Sequence, residues 1–183
     1  VLVEQRALRP VLSPLLFRSR AFVTANLTQL AEGVALIIAL VTVPLMADTV
    51  MGREPIEGAW WLLRMTVAIP VGAVLGGFLQ PYIGIRTVCI AGLGLTALGL
   101  FLVGTWDLDI AEPWLTVHLV VVGLGFGLNN APIMTRVLSS AGEDYRSTAV
   151  SLVMVSRMTG MALGLAGLAA WGVDEFRGLT AGL

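Results

Sequence analysis

The chain has 183 residues, of which 57% are hydrophobic and 13% charged, with eleven basic residues against twelve acidic ones and a formal net charge of -1. Apolar residues in such excess, gathered in blocks rather than in alternation, exclude an ordinary soluble domain, and the near-neutral charge excludes a basic nucleic-acid surface. The single cysteine, Cys89, excludes an intrachain disulfide and a paired-thiolate metal site, and the use of Arg for all eleven basic residues carries no functional weight.

Residues 1–21 begin with Val1, bear four Arg in a chain start interrupted by polar residues, and lack a signal-peptide pattern. They are expected to form a cytoplasmic linker or interfacial segment of an internal fragment. Crossing a hydrocarbon core about 30 Å thick takes roughly 20 apolar helical residues. Five runs of that length follow, at about 22–47, 59–80, 85–105, 114–138 and 148–172. They lack the alternating period of barrel strands, so the expected fold class is an all-α membrane protein, a bundle of five transmembrane helices over residues 22–172. Residues 173–183 are expected to be an extracytoplasmic tail leading to a sixth helix.

In the first span, Asn26, Gln29, Glu32 and Gly33 fall on about a third of the helix circumference and form one polar stripe. Glu32 lies about eleven residues into the helix, roughly 16 Å deep by helix rise. The second span carries Arg64 some six residues in from its beginning, where it can reach Glu32 or snorkel outward. Gly72 and Gly76 stand one turn apart in the same span and mark a close helix contact. The short polar stretch Gly76–Arg86, GGFLQPYIGIR, then joins the second span to the third.

The fourth span holds His118, a cluster of glycines, and then Asn129, Asn130 and Pro132. His118 is expected to be an ordinary solvated interfacial residue. The two asparagines contact substrate or cap a helix kinked at Pro132, which has no N–H for the Leu128 carbonyl. In the fifth span, Val153, Arg157, Gly160 and Gly164 share one face, and Arg157 matches Glu32 in depth. A charge at the bilayer centre costs about 2.5 to 3.5 kcal/mol on insertion scales, so both should face protein or a cavity and find partners. They line a pathway and re-pair between conformations, or they form a static ion pair that fixes packing.

Arg6, Arg9, Arg18, Arg20, Arg86, Arg136 and Arg146 gather at one side, whereas only Arg53 and Arg177 fall at the other among many acids. The positive side is the cytoplasmic one in short loops, which places the start of the chain and the Gly76–Arg86 hinge in the cytoplasm. Trp60, Trp61, Trp106 and Trp114 then fall at the outer helix ends, as an interfacial aromatic belt requires.

Gly77, Leu79, Gly84 and Arg86 match the G-x-L-x-x-x-x-G-x-R skeleton of the loop between the second and third helices of each six-helix half in the major facilitator superfamily. The segment Pro10–Arg20 resembles the linker entering the C-terminal half in the fourteen-helix drug/proton antiporter branch. Val155–Gly164 is similar to the fifth C-terminal helix of multidrug and lipid exporters there. Where the family's hinge has an acidic and a basic residue, this chain has Pro81 and Tyr82, which points to a structural corner rather than a charge relay. The resemblance implies a bacterial inner-membrane secondary transporter working by alternating access, with efflux of drugs or other small amphipathic molecules by proton antiport. It also implies a lipid bilayer around the protein, protons as coupling partner, and an N-terminal half of the same protein. A lipid or glycolipid exporter and a non-transporting scaffold subunit are the alternatives. No cofactor or metal is expected, and the residues suggest no enzyme: there is one His, no Ser/His/Asp set, and no GxxxxGK[ST] loop.

Overall fold

The computed structural model of the chain describes residues 19–108, 110–141 and 143–180. Among them lie five helices long and apolar enough to cross a membrane. α1 spans Arg20–Leu45, α2 Pro55–Ile83, α3 Ile85–Gly104, α4 Glu112–Ser140 and α5 Arg146–Thr180. The expected linker over residues 1–21, including most of the Pro10–Arg20 segment, lies almost entirely outside the described residues.

The boundaries follow local chemistry. Ser19 precedes α1 and accepts the Phe22 N–H at its hydroxyl. α2 starts four residues earlier than its apolar run, because Pro55 fits the first helical turn, where its missing N–H costs nothing. Pro44 removes an amide donor near the end of α1, and the helix widens into a π turn over Met46–Val50. α5 differs most from expectation. It continues through Thr180, so residues 173–180, expected as a tail, belong to the helix.

The junction between α2 and α3 is tighter than the Gly76–Arg86 stretch suggested. α2 runs on through Pro81 to Ile83, and Gly84 alone makes the corner. Its φ of 84° and ψ of 147° are open to glycine and strained for any side chain. Within the hinge motif, Gly84 is therefore the residue the backbone demands. Gly77 is not, since a methyl there would make an ordinary 3.8 Å contact with Ala131. Leu79 and Arg86 are exposed.

α1 packs along α5, and α4 packs along both α2 and α3. α4 is the central helix: half of its apolar window is buried, against 22% for α2 and α5. In lipid there is little hydrophobic drive between helices, so backbones must approach closely to gain dispersion contacts. Glycines allow this along two seams. Between α2 and α4, Gly72 and Gly76 stand where a methyl would come within 2.5 Å of the Leu124 and Leu128 carbonyl oxygens. The Leu128 carbonyl is the one that Pro132 leaves without an amide donor, and it lies against Gly76 while α4 stays helical through Pro132. Between α1 and α5, Gly160 packs on Leu30, Gly164 on Val34 and Ile37, and Gly33 on the Arg157 carbonyl.

Two apolar clusters fill the bundle. One, at the end away from Gly84, joins Leu36, Val43, Trp61, Met65, Leu119 and Phe126 with their neighbours. The other, at the Gly84 end, joins Phe22, Ala25, Ile133, Val137, Ala149 and Val153. Between these clusters the buried side chains of α1 and α4 include the polar Gln29, Glu32 and Asn129, and Arg157 of α5 reaches α4 next to them.

Candidate functional site

That polar layer is built from α1, α4 and α5, with α3 behind it. Gln29 and Glu32 on α1 are 1% and 2% exposed, and Asn129 on α4 is fully buried. Asn129 faces Gly92 on α3, where an added methyl would lie 2.7 Å from its amide oxygen. Gln29 Nε2, Glu32 Oε1 and Asn129 Oδ1 have no hydrogen-bond partner among the described residues. Leaving a buried polar atom unsatisfied costs about 1 to 3 kcal/mol, so these three atoms call for partners that the described residues do not supply. Asn129 lies beside the Glu32 carboxyl, and Arg157 is the cation within electrostatic reach of it.

A second group flanks this layer and is half-buried. Ser156 Oγ donates to Asn26 Oδ1 at 2.7 Å, which ties α5 to α1, and Asn26 Nδ2 donates to the Phe22 carbonyl of its own helix at 2.9 Å. Arg157 Nη1 donates to Asn130 Oδ1 at 3.3 Å, and Asn130 Nδ2 reaches back to the Phe126 carbonyl at 3.5 Å. Of the polar residues marked in the sequence, the layer thus gathers Asn26, Gln29, Glu32, Asn129, Asn130 and Arg157. Ser156 and the buried Thr96, whose hydroxyl donates to the Gly92 carbonyl at 3.0 Å, were not foreseen. Ser156 could have been found as the hydroxyl next to Arg157 at the depth of Asn26.

The direct Glu32–Arg157 ion pair expected from equal depth is not formed among the described residues. Gly33 lets the backbone of Arg157 press on α1, so the side chain leaves the seam and reaches Asn130 on α4 instead. Of the two courses expected of Arg64 it takes the outward one, donating to Glu112 Oε2 at 2.7 Å and to Thr116 Oγ1 at 2.8 Å across the α2–α4 seam. Glu112 and Thr116 sit one turn apart at the start of α4, facing α2, and both side chains of the ion pair remain partly exposed. Such a pair contributes about 1 kcal/mol at most, and Arg64 takes no part in the buried layer.

The tryptophans divide into two pairs. Trp60 and Trp114 are exposed at the end away from Gly84, as a belt requires, whereas Trp61 and Trp106 are buried and pack edge to face with centroids 5.8 Å apart. A buried indole N–H needs an acceptor. Trp106 Nε1 finds it in His118 Nδ1 at 3.0 Å, so His118 is a half-buried structural partner rather than a freely solvated residue.

A model of the Major Facilitator Superfamily matches residues 3–165. The chain is 33% identical over 186 residues to a triacylglyceride transporter of Mycobacteroides abscessus, covering 96% of this chain and 36% of that protein. It is 36% identical over 183 residues to one of Mycolicibacterium hassiacum, covering 94% and 34%, and 34% identical over 191 residues to one of Mycobacterium tuberculosis H37Rv, covering 98% and 37%. The chain spans about a third of the length of these curated relatives. With its five apolar helices, its glycine seams and this match over most of its length, the chain is a multi-pass membrane protein that belongs to the Major Facilitator Superfamily.

Proposed function

We propose that this chain is the C-terminal half-bundle of an exporter that carries a lipid, or a molecule with similar long apolar chains, across a bacterial inner membrane by proton-coupled alternating access. The observation that carries the reading is the buried polar layer between two apolar cores, with polar atoms of Gln29, Glu32 and Asn129 left without partners. Intramembrane ionisable groups mark substrate and proton pathways, and a layer whose buried polar atoms lack partners among the described residues calls for a use beyond packing. The Glu32 carboxyl can take and release a proton. When it is ionised, the Arg157 guanidinium gains by leaving Asn130 for it, and this exchange of partners would bias the tilt of α5 against α1. Substrate is carried near the midplane at the interface with the N-terminal half.

The names of the relatives favour a lipid over a small cationic drug. In proteoliposomes holding the full-length protein, an imposed proton gradient should drive transfer of a fluorescent triacylglyceride well above that of empty liposomes, and ethidium little. The reverse order would overturn the lipid assignment in favour of drug efflux. No gradient dependence for either would remove the coupling.

Among the described residues, Arg20, Arg86, Arg136 and Arg146 lie at the Gly84 end and Arg53 and Arg177 toward the other, which supports a cytoplasmic Gly84 end. In a Cys89→Ser background, a cysteine at Arg53 should react with a membrane-impermeant maleimide added to intact cells, and one at Arg86 only after permeabilisation. The opposite pattern would invert the topology.

A further inference from the structure

At the Gly84 end a cavity of about 1010 Å³ opens between α1, α3 and the last turns of α4. Three guanidinium-bearing side chains line it from three different helices: Arg20, Arg86 and Arg136. No carboxylate lines it, and no ion pair holds any of the three among the described residues. Two helix N-termini meet there as well. α1 begins at Arg20 and α3 at Ile85, and Gly84 has no side chain with which to cap the first amides of α3. Those N–H groups and the positive end of the helix dipole add to the pull on an anion.

The cavity is not polar throughout. Along α3, Arg86, Ile90 and Leu93 recur at helical spacing, and Ile133 of α4 completes an apolar wall. Ile90 is 61% exposed, so this wall continues onto the surface that meets the hydrocarbon. A cluster of cations at a helix end, leading into an apolar wall open to the bilayer, matches an amphiphile with an anionic head. Arginine's planar fork matches phosphate oxygens two at a time. Basic pockets between transmembrane helices are recognised sites for anionic lipid headgroups.

We infer that this cavity binds the phosphate headgroup of an anionic membrane phospholipid, joining α1, α3 and α4 at the Gly84 end, independently of the transport pathway. The phosphate sits among the three guanidiniums and the open amides of α3, and an acyl chain runs along Ile90 and Leu93.

The test uses full-length protein purified in detergent, with native mass spectrometry and thermal melting as readouts against added phosphatidylglycerol, phosphatidylcholine and inorganic phosphate. Phosphatidylglycerol should bind and raise the melting temperature, phosphatidylcholine should bind at least tenfold more weakly, and Arg86→Gln with Arg136→Gln should remove that preference. Arg136→Gln alone, away from the α2–α3 corner, should weaken phosphatidylglycerol binding several-fold while melting in phosphatidylcholine stays that of the parent. Phosphatidylglycerol binding that survives the double substitution, or equal binding of the two lipids by the parent, overturns the site. Inorganic phosphate displacing phosphatidylglycerol through the same arginines moves the source to a soluble phosphoester and overturns the lipid assignment.

Discussion

Glu32→Gln in the full-length protein is expected to reduce proton-driven lipid transport to the level of empty liposomes while the protein still inserts, elutes as a single species and melts like the parent. Glutamine has nearly the same shape as a protonated glutamic acid and is no harder to bury, so packing between α1 and α4 should survive. What disappears is the ability to alternate between neutral and charged forms, and with it any reason for Arg157 to leave Asn130. Arg157→Gln should produce a similar loss. The double variant should be no worse than either single one, because two residues acting in one exchange are strongly non-additive. Two effects that simply multiply would argue for separate roles. Wild-type transport by Glu32→Gln would reduce the buried layer to a packing device, the scaffold reading, and would leave its unsatisfied atoms without a function.

The second large effect is expected in packing. Gly127→Ala should destabilise the bundle by about 1 to 3 kcal/mol, the usual cost of forcing extra methyl volume into a packed interface. The added methyl would meet the Ile69 carbonyl, and would lie 2.7 Å from the Ala73 nitrogen and the Gly72 Cα. Backbone atoms cannot rotate away, so α2 and α4 must separate along their length. Gly94→Ala is the control, since nothing lies within 4 Å of the added methyl. There the better helix propensity of alanine, worth up to about 1 kcal/mol, should leave stability unchanged or improved. Thermal unfolding of the two variants side by side decides the matter. Equal melting temperatures would mean that the α2–α4 seam is looser than its geometry.

The residues differ in how much of this was legible in the chain. The number and place of the helices could be read because lipid imposes a length and a composition on each span separately, whatever its neighbours. The stripe of Asn26, Gln29, Glu32 and Gly33 was legible for the same local reason: helical periodicity puts them on one face. Ends were less legible. Pro55 and Glu112 open helices before their apolar runs, and α5 outlasts its own, because helix propensity and capping act on polar residues that hydropathy ignores.

Partners could not be read at all. Depth along a helix made Arg64 and Arg157 candidates for Glu32, yet Arg64 pairs with Glu112 and Arg157 with Asn130. Trp61 and Trp106 shared the belt position of Trp60 and Trp114 but turned inward, where Trp106 requires His118. By itself the sequence determined a five-span helical membrane protein with a polar face on α1 and a corner somewhere within Gly76–Arg86. Only the tertiary structure decided which groups meet. Periodicity sets the face of a helix, but its rotation against a neighbour depends on which backbones the glycines of α1, α2, α4 and α5 allow to touch.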